Sequence, residues 1–138
     1  MSGSDPVRAL ALSLALAGLA TAAPAQTPLT AEEFEAHVTG KTITYRQLTN
    51  LFGIEEYLEG RKVRWSVAPG ECQYGSWYPK DSSICFVYEY DPTPHCWTFW
   101  KEAGALVVLS DTGLPGEELY EIDRSDTPLS CPGPDVGA

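Results

Sequence analysis

The stretch Gly75–Trp100 reads GSWYPKDSSICFVYEYDPTPHCWTFW, and its pattern of residue types decides the fold. It holds three of the four tryptophans and two of the four cysteines, so we expect core and cross-links to lie here. From position 84 onward apolar or aromatic residues alternate with others, which is the pattern of a strand with one buried face. The predicted inward set is Ile84, Phe86, Tyr88 and Tyr90, and the outward set is Cys85, Val87 and Glu89.

Two proline-containing segments bound this central strand. Pro79–Ser82 precedes it and Asp91–Pro94 follows it. Proline fixes φ and aspartate bonds its own backbone, so both segments predict four-residue turns. The stretch therefore predicts three antiparallel strands in a meander, at 72–78, 83–90 and 95–101.

The rest of the chain adds one helix and five strands to the prediction. Thr30 and Glu33 form a capping box, which predicts a helix of about ten residues that ends at Gly40. His37 lies on this helix beside polar neighbours, and we expect it at the surface. Alternation and turn signals predict further strands at 41–47, within 48–58 after a turn, at 61–67, at 105–110 and at 117–122.

About eight short antiparallel strands predict a mainly β fold. Closing the meander removes its exposed edges, so we expect a small calycin-like barrel or a strongly curved sheet, with one short N-terminal helix. An eight-stranded barrel is either filled by side chains or holds one small ligand, and the sequence leaves both open. The inward aromatic residues that would bind such a ligand are Trp65, Trp77, Phe86, Tyr88, Trp97 and Phe99.

The chain begins with the pattern of a secretory signal. Arg8 precedes an apolar run at 9–20, and Ala23-Pro24-Ala25 offers small residues for cleavage before Gln26. We predict three parts: a signal peptide at 1–25, one β domain with its helix at 26–122, and an irregular tail at 123–138 pinned by Cys131. The apolar run is shorter than the roughly 20 residues that span a bilayer, so we expect no membrane insertion after cleavage.

Charge and export limit the classes of partner. The formal net charge is −10, which repels nucleic acid and anionic surfaces. We predict a periplasmic or secreted protein that binds no nucleic acid.

All four cysteines follow the predicted signal. In an oxidising compartment they imply two disulfides, for which three pairings are possible. Four-residue turns would place Cys85 and Cys96 four residues out of step, about 13 Å along a strand and too far to bridge. A wider loop or a bulge near the prolines would bring them level, and we favour Cys85–Cys96 together with Cys72–Cys131. We predict no metal site, because no CxxC is present and only His95 lies near the cysteines.

The sequence gives no constellation typical of catalysis. It contains no Gly-x-Ser-x-Gly elbow, and we expect His95 to be a plain surface residue in a turn. Adjacent carboxylates such as Glu55 and Glu56 face apart on a strand, so they do not form an acid–base pair. We predict a protein that is not an enzyme and needs no cofactor.

Five segments of the chain follow one another in a recognisable order: LTAEEFEAHVTGKT at 29–42, Tyr57–Gly60, Gly75–Trp77, Ile84–Phe86 and Cys96–Trp97. Their order resembles that of a group of small exported alphaproteobacterial proteins of unknown function. The resemblance ends near Lys101, and Cys72 and Cys131 depart from the group's pattern. It implies export and a β fold, and no mechanism.

A looser likeness is to periplasmic β-barrel inhibitors of secreted metalloproteases, whose N-terminal segment enters the protease cleft. It implies that role for residues 26–29. We expect an exported non-enzymatic envelope protein that binds a small apolar ligand or a partner protein, with protease inhibition as the alternative. A polar side chain among the inward aromatics would favour a ligand, and Tyr88 and Tyr90 are the candidates.

Overall fold

The chain forms a closed antiparallel barrel with one short helix at its N-terminal side. The computed structural model describes residues 2–4, 6, 9–19, 26–68 and 70–131. The elements are α1 (Ala31–Val38), β1 (Thr42–Gln47), β2 (Asn50–Leu58), β3 (Lys62–Ser66), β4 (Gln73–Lys80), β5 (Ser83–Tyr88), β6 (Asp91–Glu102), β7 (Ala105–Ser110) and β8 (Leu119–Ser125). Each strand pairs with the next, and β8 pairs with β1. The predicted mainly β meander is confirmed, while the cleavage site at 23–25 lies outside the described residues.

The meander gives the barrel two different ends. The helix end carries α1 and the connections at 59–61, 81–82 and 103–104. The open end carries the connections at 48–49, 67–72, 89–90 and 111–118.

Helix α1 closes the helix end because its apolar face enters the barrel. The predicted capping box is present: Thr30 Oγ1 accepts from Glu33 N–H, and Glu33 accepts from Thr30 N–H. Phe34 and Val38, four residues apart on one face, are fully buried. The helix is eight residues long, two fewer than predicted, and its cap is the extended residue Thr39.

The prediction that His37 is a surface residue is wrong. It is only 6% exposed, and its Nε2 lies 3.0 Å from a carboxylate oxygen of Glu121 on β8. Arg124 Nη1 lies 2.8 Å from the other ring nitrogen. The Nε2–H tautomer satisfies both contacts, donating to Glu121 and accepting from Arg124. Burial lowers the pKa of His37, so the ring is held neutral between α1 and the barrel wall.

Both predicted four-residue turns are wrong, because the strands extend further into the proline segments. Lys80 pairs with Ser83, and Tyr88 pairs with Asp91, so each turn has two residues. Tyr90 consequently lies in a turn and is 74% exposed, rather than inward as the alternation predicted. Strand β6 then carries extra residues before His95, which is the kind of bulge that shifts a register.

This bulge brings two cysteines to directly opposite positions on β5 and β6. Cys85 is directly opposite Cys96, and the pair forms a disulfide with a Cα separation of 4.0 Å. A second disulfide joins Cys72 to Cys131 at a Cα separation of 5.6 Å. Both favoured pairings are therefore present.

The end of the chain is more regular than predicted. Strand β8 begins at Leu119 and continues to Ser125, although we expected strand only from 117 to 122 and an irregular tail from 123. Residues 126–131 then cross the outside of β2 and β3. The Leu129 N–H donates to Glu56, and Arg64 donates to the Leu129 carbonyl. The tail is therefore held by hydrogen bonds as well as by the disulfide at Cys131.

Candidate functional site

A cavity of about 310 Å³ lies inside the barrel toward its open end. Every strand of the barrel contributes at least one side chain to its wall, so the cavity is a property of the closed fold. Most of the lining is aromatic or aliphatic: Tyr45, Phe52, Tyr57, Trp65, Phe86, Tyr88, Trp97, Phe99, Val108 and Leu119. The polar remainder is Glu55, Gln73, Asp91 and His95.

A β-bulge turns Phe52 into the cavity. Tyr45 pairs with Gly53 and Arg46 pairs with Leu51, which leaves Phe52 as the extra residue of β2. The bulge moves Phe52 to the inner face that Glu55 and Gly53 occupy. Its ring centroid lies 5.8 Å from that of Trp65 and 6.0 Å from that of Trp97. Three rings from β2, β3 and β6 therefore lie near the mouth of the cavity, which is its opening at the open end of the barrel.

Gly53 makes the position of Trp65 possible. A Cβ at this glycine would lie 2.2 Å from the indole ring of Trp65, inside van der Waals contact. The glycine lets the indole lie flat across β2 at the cavity wall.

The inner limit of the cavity is packed by rings. Phe34 of α1 contacts Tyr57, Phe86 and Phe99 at centroid distances of 5.7, 6.5 and 4.5 Å. The hydroxyls of Tyr45 and Tyr57 form a hydrogen bond of 2.8 Å in this region. Burial raises the pKa of both tyrosines well above their usual range, so both hydroxyls stay neutral.

One carboxyl group lies among these rings. Glu55 on β2 is 1% exposed, and its Oε1 accepts a hydrogen bond of 2.8 Å from the Tyr88 hydroxyl. Its Oε2 is buried and has no hydrogen-bond partner among the residues described. Burial raises the pKa of Glu55 well above its usual range, and the hydrogen bond from Tyr88 offsets this only in part. Burial therefore favours the neutral acid form of this carboxyl.

The position of Tyr88 depends on the glycine of the Gly-x-Trp motif. Gly75 pairs with Tyr88 across β4 and β5. A Cβ at Gly75 would lie 2.4 Å from the carbonyl oxygen of Val87 and 2.8 Å from the ring of Tyr88. The backbones approach here more closely than any other residue type allows, and the Tyr88 ring is thereby placed beside Glu55.

Polar groups surround the mouth. Asp91 Oδ2 lies 3.0 Å from His95 Nε2, and both side chains are about half exposed. A hydrogen bond from the Thr93 N–H is the main cause that lowers the pKa of Asp91, and His95 adds to it. Asp91 is therefore ionised at neutral pH, so the mouth carries a negative charge.

Five of the six predicted ligand-binding residues line the cavity: Trp65, Phe86, Tyr88, Trp97 and Phe99. The sixth, Trp77, is 3% exposed and packs on Phe34 at the helix end, outside the cavity lining. Of the two polar candidates, Tyr88 lies inward and Tyr90 does not.

The sequence interpretation missed Phe52, Glu55, Tyr45 and Tyr57 as lining residues. The alternation of β2 offered a signal, because Gly53, Glu55 and Tyr57 fall on the same face. We had used the adjacent glutamates only to exclude an acid–base pair, and they do face apart: Glu55 points in, and Glu56 pairs with Arg64 outside.

Metal binding and membrane crossing find no structural counterpart in the described part of the chain. No three His, Cys, Asp or Glu side chains there are grouped closely enough to hold a metal ion. No helix within the same ranges is long and apolar enough to cross a membrane. The two disulfides indicate an oxidising, extracytoplasmic environment.

Comparison with known proteins adds no relative. The chain matches no protein-family model, no curated protein and no solved structure.

Proposed function

We propose that the protein is an exported, non-enzymatic binding protein of the cell envelope, periplasmic or secreted, whose barrel takes a small and largely apolar ligand. The observation that carries this proposal is the cavity of about 310 Å³ behind the open end. Ligand sites are concave and mostly apolar, with a few polar groups that fix orientation, and volumes from about 300 Å³ are usual.

The distribution of side chains supports a ligand site over a filled core. Helix α1 seals the helix end with Phe34, so the rings there pack against one another. At the open end Phe52, Trp65 and Trp97 are only partly buried, although they are as large as the residues of the core. Phe52 contacts both tryptophans, yet a cavity of about 310 Å³ remains beside the three rings, where a core packed to the usual density would hold side chains.

The predicted signal and the resemblance to exported alphaproteobacterial proteins support the same location. Two disulfides agree with export, and a net charge of −10 suits a protein that does not adhere to anionic surfaces.

Inhibition of a secreted protease through residues 26–29 is the less supported alternative. The Leu29 N–H donates to the Phe99 carbonyl at 2.8 Å, and the Gln26 side chain donates to Glu102 at 3.1 Å. An arm that enters a protease cleft would have to break both contacts. The cavity would then have no part in the function.

Native mass spectrometry of protein isolated from a periplasm tests the proposal. We expect a non-covalent adduct that disappears when the sample is denatured. Trp97→Ala should reduce the adduct, because this ring lines the cavity. Tyr90→Ala, which removes an exposed ring, should leave it unchanged. A bare mass for the unaltered protein, or equal adducts in both variants, would contradict a ligand in the barrel.

A further inference from the structure

Glu55 is an unusual residue for the interior of a small barrel. A buried carboxyl normally has a partner for each oxygen, because desolvating a polar group without one costs free energy. Oε1 of Glu55 has the Tyr88 hydroxyl, but Oε2 has no partner in the described chain. Oε2 of Glu55 is therefore available to a ligand that donates a hydrogen bond.

The ionisable side chains of the cavity wall are mostly acidic. Among the described residues the lining includes the carboxyls of Glu55 and Asp91 and no lysine or arginine, and Asp91 is ionised. The one base is His95, which is already hydrogen-bonded to Asp91 at the mouth. With a net charge of −10 for the chain, this wall attracts cations and repels anions.

The rings around the carboxyl suit the same kind of ligand. Phe52, Trp65 and Trp97 present aromatic surface on the mouth side of the cavity. The faces of aromatic rings attract a desolvated cation, and tryptophan does so best. A cation that enters past these rings would meet favourable contacts before it reaches Glu55.

We propose that the ligand is a small amine with an apolar body, bound as its ammonium ion with Glu55 as the counter-ion. This inference rests on the proposed function, since it names the class of ligand that the barrel takes. The ammonium donates to Glu55 Oε2, while Tyr88 continues to donate to Oε1. The apolar body lies among the rings, and the volume of about 310 Å³ accommodates a single aromatic or short aliphatic chain.

A neutral ligand with a carbonyl oxygen is the rival, because the protonated carboxyl could donate to it. The ionised Asp91 at the mouth and the unpartnered Oε2 of Glu55 favour the amine. A carbonyl ligand would gain nothing from the negative charge of Asp91 and would lack the cation–π attraction of the aromatic faces near the mouth.

The two ligand classes differ in their proton balance. Burial favours the neutral acid form of Glu55, so an ammonium ion displaces the carboxyl proton to solvent when the ion pair forms. The other titratable groups that face Glu55 are Tyr45 on β1, Tyr57 on β2 and Tyr88 on β5. Burial raises the pKa of all three far above the neutral range, so they remain protonated. Asp91 and His95 face the mouth, bonded to each other.

Calorimetric titration with 2-phenylethylamine and its neutral analogue 2-phenylethanol tests the inference. We expect the amine to bind at least about tenfold more tightly than the alcohol at pH 7. Titration in two buffers of different ionisation enthalpy should show up to one proton released per bound amine, and none for the alcohol.

Glu55→Gln is the decisive variant, because an amide keeps the shape and the Tyr88 contact but cannot become an anion. It should lower the amine affinity about tenfold or more, abolish proton release and leave the alcohol affinity within about twofold. Glu55→Met, which also removes the charge, should do the same. Glu59→Gln makes the same substitution at an exposed residue of the helix end, away from the cavity, and should leave amine binding intact.

Three results would overturn the inference. Equal affinities for both probes, or full amine affinity in both Glu55 variants, would show a cavity that binds without the ion pair, and the proposed function would stand. Neither probe binding at millimolar concentration, with an adduct still present in native mass spectra, would mean another ligand class. Neither probe binding and no adduct would reject the proposed function as well.

Discussion

The two ends of the barrel use the same residue types for different purposes. At the helix end Phe34 and Trp77 meet edge to face at 5.0 Å, and both are buried. At the open end Phe52 and Trp65 lie 5.8 Å apart, but both line the cavity and remain partly exposed. Aromatic content alone therefore cannot separate a core from a site. What separates them is whether another element covers the rings, and α1 covers only one end.

Removing one phenyl ring at each end should give the largest difference in the free energy of unfolding. Phe34→Ala should lower the free energy of unfolding by about 3–5 kcal/mol, because it leaves a void in a packed region. Phe52→Ala should cost about 1 kcal/mol, since its ring is half-buried beside an existing cavity. Urea unfolding followed by tryptophan fluorescence measures both. Equal losses of stability would mean that the open end is packed as tightly as the helix end.

The open end also relies on a covalent link. Removing the Cys72–Cys131 disulfide with a Cys72→Ala/Cys131→Ala variant should cost about 2–4 kcal/mol and free the tail from β2 and β3. Hydrogen exchange at the Leu129 amide, which donates to Glu56, should report the release of the tail. The Cys85→Ala/Cys96→Ala variant should leave that amide protected under conditions where the barrel stays folded. Retained protection in the first variant would show that hydrogen bonds suffice to hold the tail.

Local patterns predicted the fold well because each strand of a meander pairs with the strand that follows it in the sequence. The alternation at 84–88 and the capping box at Thr30 depend only on nearby residues. The barrel then follows from the need to remove sheet edges. The inward positions of Trp65 and Trp97 follow from the alternation of side chains once the strands are known.

Features that depend on distant strands were not predictable in the same way. The bulges at Phe52 and before His95 arise where closure of the barrel forces a register, and one extra residue reverses every side chain beyond it. His37 is buried because Glu121 and Arg124 reach it from β8. Glu55 falls on the same face of β2 as Gly53 and Tyr57, so the alternation placed it inward. A carboxylate is nevertheless expected in solvent unless a partner or a ligand is known.

The pH dependence of stability distinguishes the polar groups of the two ends. The folded-state pKa of Glu55 is raised above its ordinary value of 4.5, so its contribution is full below that pH and is lost as pH rises through the folded pKa. The folded-state pKa of His37 is lowered, so its contribution is lost as pH falls below 6.5. The two effects have opposite signs, and a pH profile of the unaltered protein shows only their sum.

The contribution of Glu55 is isolated by the difference in unfolding free energy between the unaltered protein and Glu55→Gln, followed as a function of pH. Above pH 4.5, the unaltered protein should lose stability relative to Glu55→Gln by about 1.4 kcal/mol per pH unit, until the folded pKa is passed. Urea midpoints measured at closely spaced pH values give this slope directly. A flat difference would mean that the carboxyl of Glu55 titrates in the folded protein as it does in the unfolded chain.

The smallest effect on stability is expected at the glycine that lets Trp65 lie against β2. In Gly53→Ala the new Cβ meets the outer carbons of the indole, at 2.2 and 2.3 Å, and a half-buried ring can swing toward the open mouth. We expect a loss below about 1 kcal/mol, with a shifted tryptophan emission and weaker amine binding. Gly75→Ala is the control, because its Cβ meets the Val87 carbonyl oxygen, which cannot move without disturbing β5. It should cost clearly more stability than Gly53→Ala. The reverse order would mean that Trp65 is fixed as firmly as the backbone, and that the open end is preformed around its ligand.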